Sequence, residues 1–229
     1  MLPDDVNTEE KMSRLLEQWE SSGDRRSIFL SCYRMMTENM HSAIQTGEFF
    51  DPDWVETLLV HFANYYFSAV EYYDLNDEKI PPPWKVAFEA ARRADLSVMQ
   101  HLILGINAHI NYDLVFVVVD MLDNEWRSLS AEKREQRHSD HKQVNHIISS
   151  TIDAVQDTIV ETREPMWDIL DKLLGPMDEW LVSRLIADWR EDVWERAVLF
   201  LDNQDSNARV LLKEKLAKQI TERAHLFMI

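Results

Sequence analysis

Between Asp95 and Asn124 the sequence can form one helix that carries apolar side chains on every side. A helix of this kind has no face that prefers water, so other helices must surround it. Polar residues such as Gln100 and His101 interrupt its apolar run, and we therefore expect a core helix and no membrane span. The sequence thus predicts a fold that is built around one buried central helix.

The rest of the chain also favours helices. Only 4 glycines and 7 prolines occur in 229 residues, which is too few for the many turns of a β-rich protein. Start and stop signals, including Gly23 after the first helix, Asp51-Pro52 before the third and Ser206 before the last, divide the chain into about eight helices. A short helix is expected over residues 167–174. The predicted fold class is all-α, with residues 1–229 in a single, bundle-like domain.

Charge narrows the range of partners. With 41 acidic and 24 basic residues the net charge is -17, which disfavours nucleic acid and anionic lipid surfaces. A lone cysteine, Cys32, and an acidic N-terminus without an apolar segment lead us to expect a cytoplasmic protein. One sequence does not identify exposed apolar faces, so the oligomeric state is not predicted.

The central helix carries a stripe of residues with possible chemistry. His109 and Asp113 are one helical turn apart, a spacing that brings an imidazole nitrogen and a carboxylate together. The pair suits a divalent metal such as Zn, Fe or Mn, with His101, two turns before His109, as a further candidate ligand. Without a metal, His109 would be a general base that Asp113 orients. The alternative is a structural hydrogen bond that satisfies two buried polar groups.

A second polar stripe of the same helix holds Asn107 and Asn111. Amides do not titrate, so these residues would position a substrate beside a catalytic group, or else bind the ends of neighbouring helices. Gly105 lacks a side chain and would let a ligand or another backbone approach. We therefore include Asn107 with the catalytic candidates and Asn111 and Gly105 with the substrate-binding candidates.

Two segments outside the central helix add candidates. His141 and Asn145 share one face of the next long helix, near its N-terminus, where a histidine tends to be neutral, and both are candidates for substrate binding. Trp189 and Arg190 belong to a later stretch in which arginines lie within reach of tryptophan rings. This stretch could provide cation–π packing or an anion clamp, and we favour packing.

The stretch from His101 to Leu114, HLILGINAHINYDL, resembles a family of mostly bacterial proteins of unknown function with an LGxNAHINxDL signature. The segments GDRRSIF from Gly23, FDPDW from Phe50 and FANYYF from Phe62 are similar to the same family, so the resemblance spans most of the chain. It implies an uncharacterised all-helical protein. It supplies neither an activity nor a cofactor.

Two hypotheses for function follow from these residues. The first is an enzyme, resembling a metal-dependent hydrolase, with a polar pocket beside the central helix. The second is a non-catalytic protein that binds an apolar small molecule or a protein partner, with His109 and Asp113 as a structural network. Serine-hydrolase elbows, glycine-rich phosphate loops, HExxH and CxxC motifs do not occur in the sequence.

Overall fold

The computed structural model describes residues 8–159 and 179–229. In this part of the chain there are eight helices and no strand, which confirms the all-α fold. The helices are α1 (Thr8–Ser22), α2 (Arg26–Gln45), α3 (Pro52–Asp74), α4 (Pro82–Ala90), α5 (Val98–Leu122), α6 (Ala131–Ile159), α7 (Glu179–Asp202) and α8 (Ser206–Leu226). The short helix expected over 167–174 lies outside the described residues.

Helix α5 is the central element. It packs against α2, α3, α4, α7 and α8, and a second layer of contacts joins α1 to α2 and α6 to α7. Most side chains in its second half are fully buried, including Leu114, Val115, Val117 and Val118. The structure therefore agrees with the prediction that an all-round apolar helix lies at the centre of the fold.

By length and composition alone α5 passes the test for a membrane-spanning helix, a test that buried core helices also pass. However, 78% of its most apolar window is buried inside the structure, as in the core helix of a soluble protein. Among the described helices no other one meets the same criteria. Its apolar character is accounted for by the helices around it.

Local signals fix most helix ends. Asp51 caps α3 by accepting a hydrogen bond from the Trp54 backbone, and Pro52 follows it as expected. Ser97 and Gln100 form a capping box, so α5 begins at Val98, three residues later than the periodicity predicts. The prediction that Ser206 caps α8 is wrong by one residue, because Asp205 accepts the hydrogen bond from Asn207.

Two hydrophobic clusters meet along α5. The first combines α1, α2, α3 and α4 with the Leu102–Ala108 side of α5. The second combines the end of α2 and helices α3, α6, α7 and α8 with the residues from Tyr112 to Leu122. Between them, His109–Asp113 forms a single π-helical turn within α5. The polar residues His109, Asn111 and Asp113 therefore lie where the two clusters join.

Candidate functional site

The π-helical turn distributes its five side chains differently from an α-helix. Such a turn contains one additional residue, and π-turns occur frequently at functional sites. His109 and Asp113 are buried on one side, Asn111 is buried on another, and Ile110 is half-buried. The turn thus directs several polar groups into the interior within one helical turn, and each of them needs a partner.

His109 and Asp113 are in direct contact, as their spacing predicts. Asp113 Oδ2 lies 3.1 Å from His109 Nδ1 and accepts a hydrogen bond of 2.7 Å from Trp84 Nε1. Asp113 Oδ1 and His109 Nε2 are also buried, and neither has a hydrogen-bond partner in the described part of the chain. Each side chain of the pair therefore retains one unused polar atom.

Burial shifts both pKa values of this pair. It raises the pKa of Asp113 well above its ordinary value, although the hydrogen bond from Trp84 acts in the opposite direction. It lowers the pKa of His109 well below its ordinary value. Both shifts favour uncharged side chains. A protonated Asp113 can donate to His109 Nδ1, which leaves the imidazole proton on the unpartnered Nε2.

Aromatic rings surround the His109 imidazole. The Phe62 ring stacks on it with centroids 3.5 Å apart and planes 2° apart, and the Tyr33 ring lies at 4.4 Å. The ring centroids of Phe29, Tyr66 and Trp84 lie 5.7, 5.9 and 5.9 Å from the centroid of the same imidazole. These rings replace water around the imidazole, which explains why its charged form is disfavoured. The segment FANYYF from Phe62 shows that α3 is rich in aromatic residues, but the sequence alone does not show that Phe62 and Tyr66 lie against His109.

An apolar cavity of about 130 Å³ lies beside this cluster. Helices α2, α3, α5, α6 and α7 all contribute to its wall. The lining includes Tyr33, Met36, Met40, Leu58, Phe62, Ile106, His109, Ile110, Val144, Ile148, Ile186 and Arg190. Two of these residues carry strongly polar groups, the imidazole of His109 and the guanidinium of Arg190.

Arg190 has an unusual environment for a cation. It is 4% exposed, and one of its NH₂ groups donates a hydrogen bond of 2.8 Å to the His141 carbonyl. Its Nε has no partner, and no ion pair in the described part of the chain includes it. Burial lowers the pKa of Arg190 to about 9. A buried cation without a counter-ion is costly and calls for an anion.

His141 fixes the position of Arg190. Its Nε2 lies 2.8 Å from the Arg190 carbonyl, which can only accept, so Nε2 carries the proton. Its Nδ1 is then an acceptor, 3.5 Å from an Arg190 NH₂ group. Burial, and next the charge of Arg190, lower the pKa of His141 well below its ordinary value. His141 therefore contacts a cavity residue without lining the cavity, and its predicted role in substrate binding stays a prediction.

The two asparagines face a different neighbour. Asn107 donates a hydrogen bond of 3.1 Å to the Ile220 carbonyl of α8, and Asn111 donates one of 3.3 Å to Asn107 Oδ1. Neither side chain lines the apolar cavity. The contacts correspond to the alternative in which the amides bind a neighbouring helix, and a catalytic or substrate-binding role for them stays a prediction. Asn145 is half-buried, and its neighbour Val144 lines the cavity.

The space beside Gly105 is filled by the Phe29 side chain. A Cβ atom at this position would lie 2.5 Å from two carbons of the Phe29 ring, so the glycine allows α2 and α5 to approach. A tiny cavity of about 10 Å³ is lined by both Gly105 and His101. Among the described residues, no group of three or more His, Cys, Asp or Glu side chains is placed to hold a metal. The expected set of His109, Asp113 and His101 is therefore not assembled.

Comparison with known proteins identifies a family whose function is unknown. The model for the family of unknown function DUF5995 matches residues 6–228. Neither a curated protein nor a solved structure matches the chain. The family model spans nearly the whole sequence, in agreement with the resemblance seen from its motifs. The chain therefore belongs to DUF5995, a family of unknown function.

Proposed function

We propose that this protein binds a small organic anion in the apolar cavity, with Arg190 as the counter-charge. The observation that carries the proposal is the fully buried guanidinium at the cavity wall, for which the described part of the chain supplies no carboxylate. Buried charges in proteins are normally paired. A carboxylate on the ligand would supply that missing partner.

The cavity sets the size of the ligand. Its volume of about 130 Å³ is close to that of engineered apolar cavities that hold one benzene molecule, about 150 Å³. Its wall is made largely of aliphatic, methionine and aromatic side chains, which favour an apolar body. A single ring or a short alkyl chain with one acidic group fits both requirements.

His109 provides a second polar contact. Its Nε2 is buried without a partner, and the pKa directions of the pair favour a proton on that nitrogen. A donor of this kind would bind an oxygen of the ligand. The proposed ligand therefore has an apolar body, an anionic group for Arg190 and an acceptor for His109.

Benzoate and its uncharged counterpart benzamide test the proposal. We expect isothermal titration calorimetry to show that benzoate binds more tightly than benzamide. Arg190→Met should weaken benzoate binding by about 10- to 100-fold, the value of a charge-assisted hydrogen bond, and should leave benzamide almost unchanged. Arg196→Met removes the same charge from the same helix away from the cavity, so it should bind benzoate like the wild type.

A third variant locates the site. Leu58→Phe places additional atoms in the cavity and should weaken benzoate and benzamide alike. Equal benzoate affinity for the wild type and Arg190→Met would refute the proposal. So would a loss of benzoate binding in Arg196→Met of the same size as in Arg190→Met.

A second candidate is proton transfer between His109 and a molecule bound in the cavity. The observation that favours it is that His109 lines the cavity and its Nδ1 contacts Asp113, while its Nε2 has no hydrogen-bond partner in the described part of the chain. We would measure hydrolysis of p-nitrophenyl acetate by the wild type, by His109→Gln and by His61→Gln, which alters an exposed histidine. A rate that falls only in His109→Gln supports catalysis. Equal rates in all three proteins would refute this second candidate, and ligand binding would remain as the proposed function.

A further inference from the structure

A groove of about 420 Å³, separate from the apolar cavity, lies between α3, α5, α8 and the loop before α4. Its walls include the rings of Tyr65, Tyr72, Tyr112 and Phe116. Its volume is within the range of about 300–1,000 Å³ that is typical of small-molecule sites. The groove and the cavity share none of their lining residues.

Two lysines from different elements line this groove. Lys79 belongs to the loop before α4, and its Nζ lies 6.0 Å from the Tyr72 ring centroid. Lys213 belongs to α8, and its Nζ lies 5.2 Å from the Phe116 ring centroid. Neither lysine forms an ion pair in the described part of the chain. In a chain with a net charge of -17, two unpaired cations in one groove are notable.

Asp77 Oδ1 accepts a hydrogen bond of 2.9 Å from the backbone N–H of Lys79, next to the groove. A second carboxylate, that of Asp120, contacts Tyr65. It accepts a hydrogen bond of 2.6 Å from the Tyr65 hydroxyl, and burial, then this bond, raise the pKa of Tyr65 above its ordinary value. No carboxylate side chain lines the groove itself. The remaining polar groups at its wall are neutral or weakly basic, namely the Asn64 amide, the Ser68 hydroxyl and the His61 imidazole.

We propose that this groove binds a planar aromatic anion. The aromatic body would lie against the rings of Tyr72, Tyr112 and Phe116, since aromatic pairs prefer stacked or edge-to-face packing. Its anionic group would face the ammonium groups of Lys79 and Lys213. This proposal does not depend on the one for the apolar cavity, because the groove and the cavity have different lining residues and different cationic side chains.

The test uses 2-naphthoate as the probe and 2-naphthol as its uncharged counterpart at pH 7. We expect calorimetry to show tighter binding of naphthoate. The double variant Lys79→Met/Lys213→Met should weaken naphthoate binding by about five- to tenfold, since ion pairs of exposed lysines contribute modestly, and should leave naphthol unchanged. Lys215→Met alters an exposed lysine of α8 that does not line the groove, and it should match the wild type.

Three results with the wild type, the double variant and Lys215→Met would overturn the inference. These are a wild type that does not bind naphthoate at millimolar concentration, a double variant that binds it with wild-type affinity, and equal losses in the double variant and in Lys215→Met. Leu58→Phe reports on the apolar cavity separately, and it should leave naphthoate binding unchanged. Loss of naphthoate binding in Leu58→Phe would place the probe in the cavity and would also overturn the inference.

Discussion

Replacing Gly105 with alanine tests how closely α5 packs against α2. In an isolated helix this change stabilises the chain by about 1 kcal/mol, because glycine is a poor helix former. In the folded protein the new Cβ would lie 2.5 Å from Phe29 Cγ and Cδ2 and 2.8 Å from Phe29 Cβ. Helix propensity and packing therefore predict effects of opposite sign at one position.

The packing cost is expected to be larger. Rotation of the Phe29 ring does not move its Cβ, and the ring is also held by Tyr33, Trp84 and His109. The backbones of α2 and α5 must separate instead, which places the cost at the upper end of the usual range for overpacking, about 3 kcal/mol. After subtraction of the propensity gain, Gly105→Ala should lower the free energy of unfolding by about 2 kcal/mol.

Urea denaturation gives this difference directly, and thermal unfolding should show a midpoint lower by about 4–8 °C. Phe29→Ala provides the control background. Once the ring is absent, only the 2.8 Å contact with the Cβ of residue 29 remains, so adding Gly105→Ala in this background should cost clearly less than it does in the wild type. A Gly105→Ala protein that is as stable as the wild type, or more stable, would refute the proposed close contact.

Three further predictions concern the polar groups of the central helix. Because the pKa of Asp113 is raised, the folded chain keeps a proton that the unfolded chain releases above pH 3.8. The wild type should therefore lose stability relative to Asp113→Asn as the pH rises from 4 to 7. Parallel curves of unfolding free energy against pH for the two proteins would contradict this prediction. Asn107→Ala removes two buried hydrogen bonds and should cost about 2 kcal/mol in urea denaturation, whereas a cost below about 0.5 kcal/mol would show that the contact with α8 is dispensable. Elemental analysis of the purified protein and of His109→Ala should show no metal content that depends on His109, because His109 and Asp113 are not joined by a third metal-ligating side chain in the described part of the chain. A stoichiometric metal that is lost in the variant would contradict this prediction.

The sequence predicted the general architecture because the strongest signal was also the simplest. An apolar helix with no hydrophilic face has to be central, and the spacing of His109 and Asp113 is enough to predict their contact. The sequence also predicts that Asn107 and Asn111 lie on a different side of the helix from His109 and Asp113, and the structure places Asn107 against α8. These inferences depend only on residue spacing within one helix.

Other features depend on contacts between helices or on local backbone geometry. The π-turn leaves no trace in hydrophobic periodicity, because an additional residue in a helix that is apolar all round does not expose any apolar side chain. Arg190 stands among Asp188, Glu191 and Asp192, so its sequence context favours a solvated helix face, and packing against a tryptophan was preferred. His101 keeps its predicted burial, yet spacing along one helix does not determine which side chains of other helices join it.

The π-turn gives insertions and deletions an unusual meaning in this protein. Deleting one residue from His109–Asp113 would restore ordinary α-helical winding and leave Leu114–Leu122 in nearly the same orientation relative to Val98–Ala108, because the π-turn takes up its additional residue without changing the phase of the flanking helix. Deleting one residue from the regular part of α5 would instead rotate everything beyond it by about 100°, so Asp120, now exposed, would change its direction and the two hydrophobic clusters would no longer face their own partners. When relatives are aligned, a one-residue gap should therefore be accepted more readily within His109–Asp113 than elsewhere in α5.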